Sequence, residues 1–438
     1  MATATMQRSD VSLLPAAGEE EVIACHECGT VHRLPAMPDD TVARCTACEA
    51  RIFLRYAHSV EHSLALCCAA LCLFLVANAF PVLSMAIGGQ TSVSTVLDGA
   101  RALHDAGMWP LALAVALAGT VLPLAKILGM LAILVPVRLK VRPPWIVPAF
   151  RWVERLHPWS MMEVYLLGVL VAYVKLQDLA TVHTGIALYA FGGTILLMAA
   201  ADARFDPHAI WRRLAPQAGP EVLAPRPGTV LVACEQCDQL VRADVRGLHG
   251  LRCPRCNVPL HRRKPDSLNR TWALALTAAI LYVPANLLPI MTVTSLGHGS
   301  PDTIVSGVIE LLHAGMWPVA LLVFFASITV PVLKLVGLAY LLISVHRRST
   351  ARLRDRARIY RIIEGIGRWS MVDVFMIGIL AALVALGNLA TIEPGPGAIA
   401  FCAVVIVTIL ASMAFDPRLM WDALDERPDR RRPRRLRV

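Results

Sequence analysis

Charge is scarce in this chain and unevenly placed. Lys, Arg, Asp and Glu make up 17 % of its 438 residues, against 56 % hydrophobic side chains, and mean hydropathy is +0.57. That shortage excludes an ordinary soluble globule and points to an integral membrane protein with small polar parts. Lys and Arg are nearly missing from two stretches: Ser84–Met108 has only Arg101, and Val293–Met316 has none. No G-x4-G-K-[ST] run occurs, so an energy source of that nucleotide-binding type is not expected. The first 24 residues hold no apolar core flanked by a cleavage site, and no cleaved signal peptide is expected. The net charge of +10 reflects basic loops, and nucleic-acid binding is not expected.

Eight apolar segments take the place of the missing charge. They are Leu64–Leu83, Trp109–Pro136, Ser160–Ala180, Gly185–Ala201, Trp272–Thr292, Trp317–Val345, Ser370–Ala390 and Ala398–Phe415. A helical span needs about 20 such residues at about 1.5 Å each. Arg138, Lys140, Arg142, Arg151 and Arg155 lie between the second and third. Arg347, Arg348, Arg352, Arg354, Arg356, Arg358, Arg361 and Arg368 lie between the sixth and seventh, and the tail is basic from Arg427 to Arg437. The positive-inside rule then puts both termini in the cytoplasm.

The chain repeats itself. Asn78 and Pro81 recur as Asn286 and Pro289, Ala106–Pro110 (AGMWP) as Ala314–Pro318, and Pro123 and Lys126 as Pro331 and Lys334. Pro158–Met161 answers Arg368–Met371, and Phe205–Pro207 recurs as Phe415–Pro417, with Trp211 and Trp421 behind. The offset runs only from 208 (Asn78 to Asn286) to 210 (Phe205 to Phe415). The expected fold is an α-helical polytopic membrane protein. Eight transmembrane helices form two tandem, parallel four-helix repeats, each preceded by a small cytoplasmic β zinc ribbon. The expected units are a disordered N-terminus (1–20), first ribbon (21–57), first membrane domain (58–215), linker (216–228), second ribbon (229–264), second membrane domain (265–424) and basic tail (425–438).

Cys25-x2-Cys28-x16-Cys45-x2-Cys48 and Cys234-x2-Cys237-x15-Cys253-x2-Cys256 carry the ribbons. Two tight turns, each giving two thiolates, suit a tetrahedral ion, and a reducing cytoplasm favours metal over disulfide. Structural Zn2+ at both sites is the expectation; iron or a redox dithiol are the alternatives. A closed set of four cysteines leaves no open coordination position for catalysis, and no nucleophile–base arrangement is evident, so an enzyme is not expected. Cys67, Cys68, Cys72 and Cys402 sit in spans and read as packing.

Lys126 and Lys334 lie inside apolar segments. A lysine at bilayer depth costs from about 3 to more than about 10 kcal/mol, so such residues either snorkel or serve a function. Straight helical spacing puts Ser327 on the face of Lys334, and Ser370, Asp373 and Thr408 can join them from the next two spans. The first half keeps Lys126 and Glu163 as counterparts, with Gly119 and Met198 in place of Ser327 and Thr408. Lys175 and Asp178 read as interfacial. Val93–Leu103 and Ile304–Leu312 carry helical apolar spacing before each AGMWP, suited to the outer membrane surface or to a partner.

These motifs together resemble the paraquat-inducible protein A family, over nearly the whole chain from Cys25 to Trp421. The pattern is most similar to the family's lipophilic envelope-spanning tunnel type. The resemblance implies an inner-membrane partner of an oligomeric MCE-domain tunnel protein, trafficking phospholipid between inner and outer membranes. It also implies a proton-coupled role for the cluster Ser327, Lys334, Ser370, Asp373 and Thr408. An anchor for the tunnel without transport chemistry, or a thiol-based stress sensor, are the other readings.

Overall fold

The computed structural model describes residues 21–425 apart from 36–37, 39, 57, 88–89, 157–158, 178–180, 215–228, 245–249, 296–297, 314, 368–370 and 384–389. Its first elements are two antiparallel hairpins, β1 (Glu21–Ala24) with β2 (Val31–Leu34), and β3 (Thr41–Arg44) with β4 (Arg51–Arg55). The helix α1 (Ser59–Ala79) leads to β5 (Leu83–Ile87), β6 (Gln90–Ser94) and α2 (Asp98–Asp105). A long helix follows, made of α3 (Trp109–Ala116), a π turn (Leu117–Val121) and α4 (Leu122–Arg138). Then come α5 (Ile146–Leu156), α6 (Met162–Gln177), β7 (Thr181–Thr184), α7 (Ile186–Arg204) and α8 (Pro207–Leu214).

The second half opens on one hairpin, β8 (Thr229–Ala233) with β9 (Leu240–Asp244), and continues in the same order. Its elements are α9 (Ser267–Leu287), β10 (Met291–Ser295), β11 (His298–Asp302) and α10 (Ile304–His313). After them come α11 (Trp317–Phe324), a π turn (Phe325–Thr329), α12 (Val330–His346), α13 (Leu353–Ile366), α14 (Val372–Leu383), β12 (Ala390–Pro394), α15 (Pro396–Ala414) and α16 (Leu419–Asp425).

Among the described residues, five stretches are long and apolar enough to cross a membrane. They are Ser59–Ala79, Trp109–Arg138, Ile186–Arg204, Trp317–His346 and Pro396–Leu424. Where the third and seventh spans are expected, α6 has 16 described residues and α14 has 12. α9 is as long as α1 but carries Asn269 and Arg270 near its start. α1 packs along α7, and α9 along α15; α6 and α2 of the first half both pack on α14 of the second. At the α2–α14 crossing a Cβ on Gly99 would lie 3.1 Å from the Gly378 carbonyl oxygen, so the absence of side chains lets the backbones meet.

Several expected boundaries move, each for a local reason. α1 ends at Ala79, not Leu83, because Pro81 follows: Phe80 before it is extended at φ −112, ψ 162. Leu288 is likewise extended ahead of Pro289, so α9 ends at Leu287 rather than Thr292. The residues released by these early stops form two three-stranded antiparallel sheets, β6–β5–β7 and β11–β10–β12. Each sheet ties the loop after its half's first helix to the strand before its last. The helical reading of Val93–Leu103 fails at its start, since Val93 lies in β6, where β-branched Thr91 and Val93 suit a strand, and the helix begins at Asp98. Ile304–His313 is helical as expected, and Thr229–Ala233 is a strand.

The repeated AGMWP motif closes one helix and opens the next. Gly107 has φ +76; its N–H bonds His104 O, and Met108 N–H bonds Leu103 O. Gly315 and Met316 repeat this on Leu312 O and Leu311 O, giving the left-handed cap that glycine favours. Trp109 and Trp317 follow, both 66 % exposed.

The glycine that ends each Pro-x2-Lys-x2-Gly segment admits the next helix. A Cβ on Gly129 would strike Val153 of α5, and one on Gly337 would strike Ile363 of α13. Overpacking of this kind costs about 1–3 kcal/mol. Gly337→Val is therefore expected to lower the melting temperature of the detergent-purified chain, while Val at the exposed neighbour Val336 is already tolerated. An unchanged melting temperature would refute the close contact.

Candidate functional site

The four cysteine pairs share one local design. After each pair a residue takes positive φ: Gly29 (71), Glu49 (65), Asp238 (52) and Asn257 (58). Its N–H bonds the carbonyl of the first cysteine, as Gly29 does Cys25 and Glu49 does Cys45 at 2.8 and 2.9 Å. This tight turn aims both thiols of a pair the same way. Cys25 Sγ lies 3.4 Å from Cys48 Sγ, and Cys28 Sγ 3.4 Å from Cys45 Sγ. In the second set Cys234–Cys256 is 3.4 Å and Cys237–Cys253 3.6 Å. All eight are buried, and within each set the sulfurs lie within 4.8 Å of one another. A tetrahedral ion with metal–sulfur bonds of about 2.3 Å needs sulfurs about 3.8 Å apart, so both sets fit a metal with little adjustment. His32 Nε2 lies 3.2 Å from Cys45 Sγ, placed to support a ligand rather than to replace one.

Each cysteine centre rests on the other half's amphipathic helix. Arg361 of α13 donates to Cys48 O at 3.1 Å, and Arg354 to Ala47 O at 3.0 Å. Arg358 pairs with Glu49 at 2.9 Å and Arg361 with Glu27 at 3.7 Å. In the mirrored contact Arg151 of α5 donates to Cys256 O at 3.1 Å, Gln236 donates to Glu154, and Arg255 lies over the Trp211 ring. Burial in these contacts pushes the Glu27 carboxyl up and that of Glu154 up to about 8. The two centres also touch each other through Ala24, Leu231 and Leu240. Nothing in the linear sequence signals this exchange except Arg151 and Arg361, which stand 210 residues apart like the other landmarks.

Lys334 is 2 % exposed and its ammonium donates to Thr408 Oγ1 at 3.1 Å. Thr408 Oγ1 in turn donates to Val405 O at 2.9 Å, so the hydroxyl is fixed with a lone pair toward the lysine. Gly367 makes the space: a Cβ there would lie 2.7 Å from Lys334 Nζ. Ser327 is fully buried, but its hydroxyl has no hydrogen-bond partner among the described residues. Ser327 stands in the π turn, where Val330 N–H bonds Phe325 O five residues back, so a straight helical count does not carry from Ser327 to Lys334. Pro331, with no N–H to give, follows at once. Such turns concentrate at functional sites. Ser370 and the Asp373 side chain lie outside the described residues; Asp373 is the second residue of α14.

The first half differs from its expected form. Lys126, 5 % exposed, pairs with Asp202 of α7 at 2.6 Å, and Glu163 is exposed at the start of α6. Asp202 escaped the sequence reading because it sits 76 residues from its partner at the polar end of a span. Lys175 and Asp178 fall outside the residues whose side chains are described. Cys67 and Cys402 are buried, whereas Cys68 and Cys72 are exposed on α1.

The exchanged contacts carry a test. A hydrogen bond to a charged donor is worth about 1.5 kcal/mol or more, about tenfold in a rate. Arg361→Ala is expected to speed release of one of two bound metal ions to a colorimetric chelator by about that factor. The other ion should leave at the wild-type rate. Equal release of both ions in wild type and variant would contradict the placement of Arg361.

The model of the family described as "Paraquat-inducible protein A" matches residues 60–215 and again 268–425. The chain is 34 % identical to the "Intermembrane transport protein PqiA" of Escherichia coli (strain K12) over 414 residues, 92 % of this chain and 96 % of that protein. It is 38 % identical to the "Lipophilic envelope-spanning tunnel protein A" of the same strain over 276 residues, 63 % of this chain and 62 % of that protein. To a "Probable intermembrane transport protein" of Haemophilus influenzae it is 27 % identical over 406 residues, 92 % and 97 % of the two chains. No solved structure matches. Five membrane-length helices among the described residues, and relatives named for intermembrane transport, make this a membrane protein. The chain belongs to the paraquat-inducible protein A family.

Proposed function

We propose that this chain is the inner-membrane component of a lipid-trafficking system that connects inner and outer membranes. It loads phospholipid into, or receives it from, a periplasm-spanning tunnel built by an oligomeric MCE-domain protein. Eight spans cross as two four-helix units, within residues 58–215 and 265–424, and the termini and cysteine centres face the cytoplasm. α6, α9 and α14 supply the spans that fall short of membrane length or hydropathy. The cysteine centres hold Zn2+ through Cys25, Cys28, Cys45, Cys48, Cys234, Cys237, Cys253 and Cys256. The ion supplies a structural cross-link, and burial of all eight sulfurs favours holding over redox sensing.

One observation carries the transport reading: Lys334 is buried within a membrane-length helix and bonded to a neutral hydroxyl of another. Such an expense in a chain whose relatives are named for intermembrane transport marks a working residue. Lys334, Thr408 and Ser327, with Ser370 and Asp373 at the start of the seventh span, form the proton-responsive set. Exchange of a proton or of a hydrogen-bond partner at Lys334 opens and closes the lipid path.

The test compares cells whose only copy carries Lys334→Met or Lys126→Met at matched expression, with outer-membrane barrier function as readout. Only the Lys334 change is expected to breach the barrier. If both are silent while deletion is not, the chain acts as an anchor for the tunnel and the transport role of Lys334 is refuted.

A further inference from the structure

The two halves place different chemistry at matching positions of α7 and α15. Met198 and Asp202 of α7 correspond to Thr408 and Ser412 of α15, at the offset of 210 that also relates Phe205 to Phe415. The first-half lysine reaches the carboxylate of Asp202 at 2.6 Å. The second-half lysine stops one helical turn earlier, on Thr408. Ser412 turns away, its hydroxyl donating to Thr408 O of its own helix at 2.9 Å.

A second difference runs alongside. At the position of Ser327, whose buried hydroxyl has no hydrogen-bond partner among the described residues, the first half has Gly119; the next residue, Thr120, carries a buried hydroxyl that likewise has none. The ring of Tyr165 closes over that glycine, so that a Cβ on it would lie 3.1 Å from the ring. Tyr165 is itself held by its hydroxyl on Val96 O at 3.2 Å and by Phe191 and Phe375 at 5.3 Å. The first half thus has a ring over Gly119 and a lysine paired with a carboxylate. The second has Ser327 in place of that glycine and a lysine with a neutral partner.

We propose that Asp202 is a positioning residue that locks the first membrane unit by pairing with Lys126, and that Ser412 frees the second by withholding a carboxylate at the same place. The carboxylate of Asp202 is half-buried and the ammonium of Lys126 is buried, so separating them strands the lysine charge. Breaking the Lys334–Thr408 bond separates no ion pair: the hydroxyl keeps its bond to Val405 O, and the ammonium needs only a new acceptor. One copy of the repeat is then a fixed wall and the other the moving part. This inference rests on the transport reading above and assigns the division of labour within it.

The experiment moves the carboxylate. Cells whose only full-length copy carries Ser412→Asp, Ser412→Asn or the charge-free double change Lys126→Met/Asp202→Met are compared at matched chain levels, with Lys334→Met as reference. Ser412→Asp is expected to breach the outer-membrane barrier as fully as Lys334→Met, while Ser412→Asn keeps it. The double variant is expected to keep the barrier too, since a wall needs no charge, only a filled core. A silent Ser412→Asp beside a damaging Lys334→Met overturns the inference and leaves the transport reading standing. Equal damage by Asp and Asn shows a size effect and also overturns it. If Ser412→Asp does not accumulate, the double variant decides alone: a breach at normal chain levels shows that the first-half pair works in transport and refutes the lock. A silent Lys334→Met removes the underlying reading instead.

Discussion

An ammonium group that cannot reach water must be solvated by the protein, and the membrane-length helices are arranged around that need. Lys126 and Lys334 occupy one position of a repeated segment, each just after a π turn and a proline. The π turn inserts a residue and so rotates the lysine relative to the helix before it. Pro123 and Pro331 sit where a backbone donor is lost in any case. In one half the ammonium is met by a carboxylate, in the other by a hydroxyl. The same backbone device therefore supports two electrostatic outcomes, set by single positions on the facing helix.

The cysteine centres add a constraint of another kind. Each docks on the amphipathic helix of the opposite half through arginines that bond cysteine-turn carbonyls. Gly129 and Gly337 bring those amphipathic helices against the very helices that carry the lysines. A chain of direct contacts thus runs from each metal-type site, through α5 or α13, to the turn of helix after Lys126 or Lys334. The crossing also means that neither half is complete at its cysteine end without the other.

How much of this the sequence disclosed depended on whether the cause was local. The cysteine turns were legible because spacing alone fixes two thiols on one tight turn, and the strand at Thr229–Ala233 because its apolar run is bounded by Gly228 and Cys234. AGMWP read as a helix start, and its cap geometry follows from glycine. The sheets were missed because Leu83–Ile87 continues the apolar signal of α1, while Met291–Ser295 (MTVTS) alternates apolar and polar residues over too short a run to stand out. The bend before Pro81 and Pro289 separates them from the preceding helices. Thr408 is expected from span eight to join the lysine, and a hydrogen bond links the two, whereas Ser327 is placed by a straight helix that the π turn interrupts. Asp202 and the exchange of the cysteine centres depend on which helices pack together, which no spacing along the chain encodes.

The central claim is that the Thr408 hydroxyl serves Lys334 in transport and is not needed to hold the fold. Thr408→Val tests it most directly, since valine keeps the shape and removes only the acceptor. Barrier function in cells and the melting temperature of the purified chain are measured on the same variant, with Thr408→Ser alongside. The expected result is a melting temperature close to wild type, a lost barrier, and recovery with serine. An intact barrier with Thr408→Val, at normal chain levels, would contradict the claim.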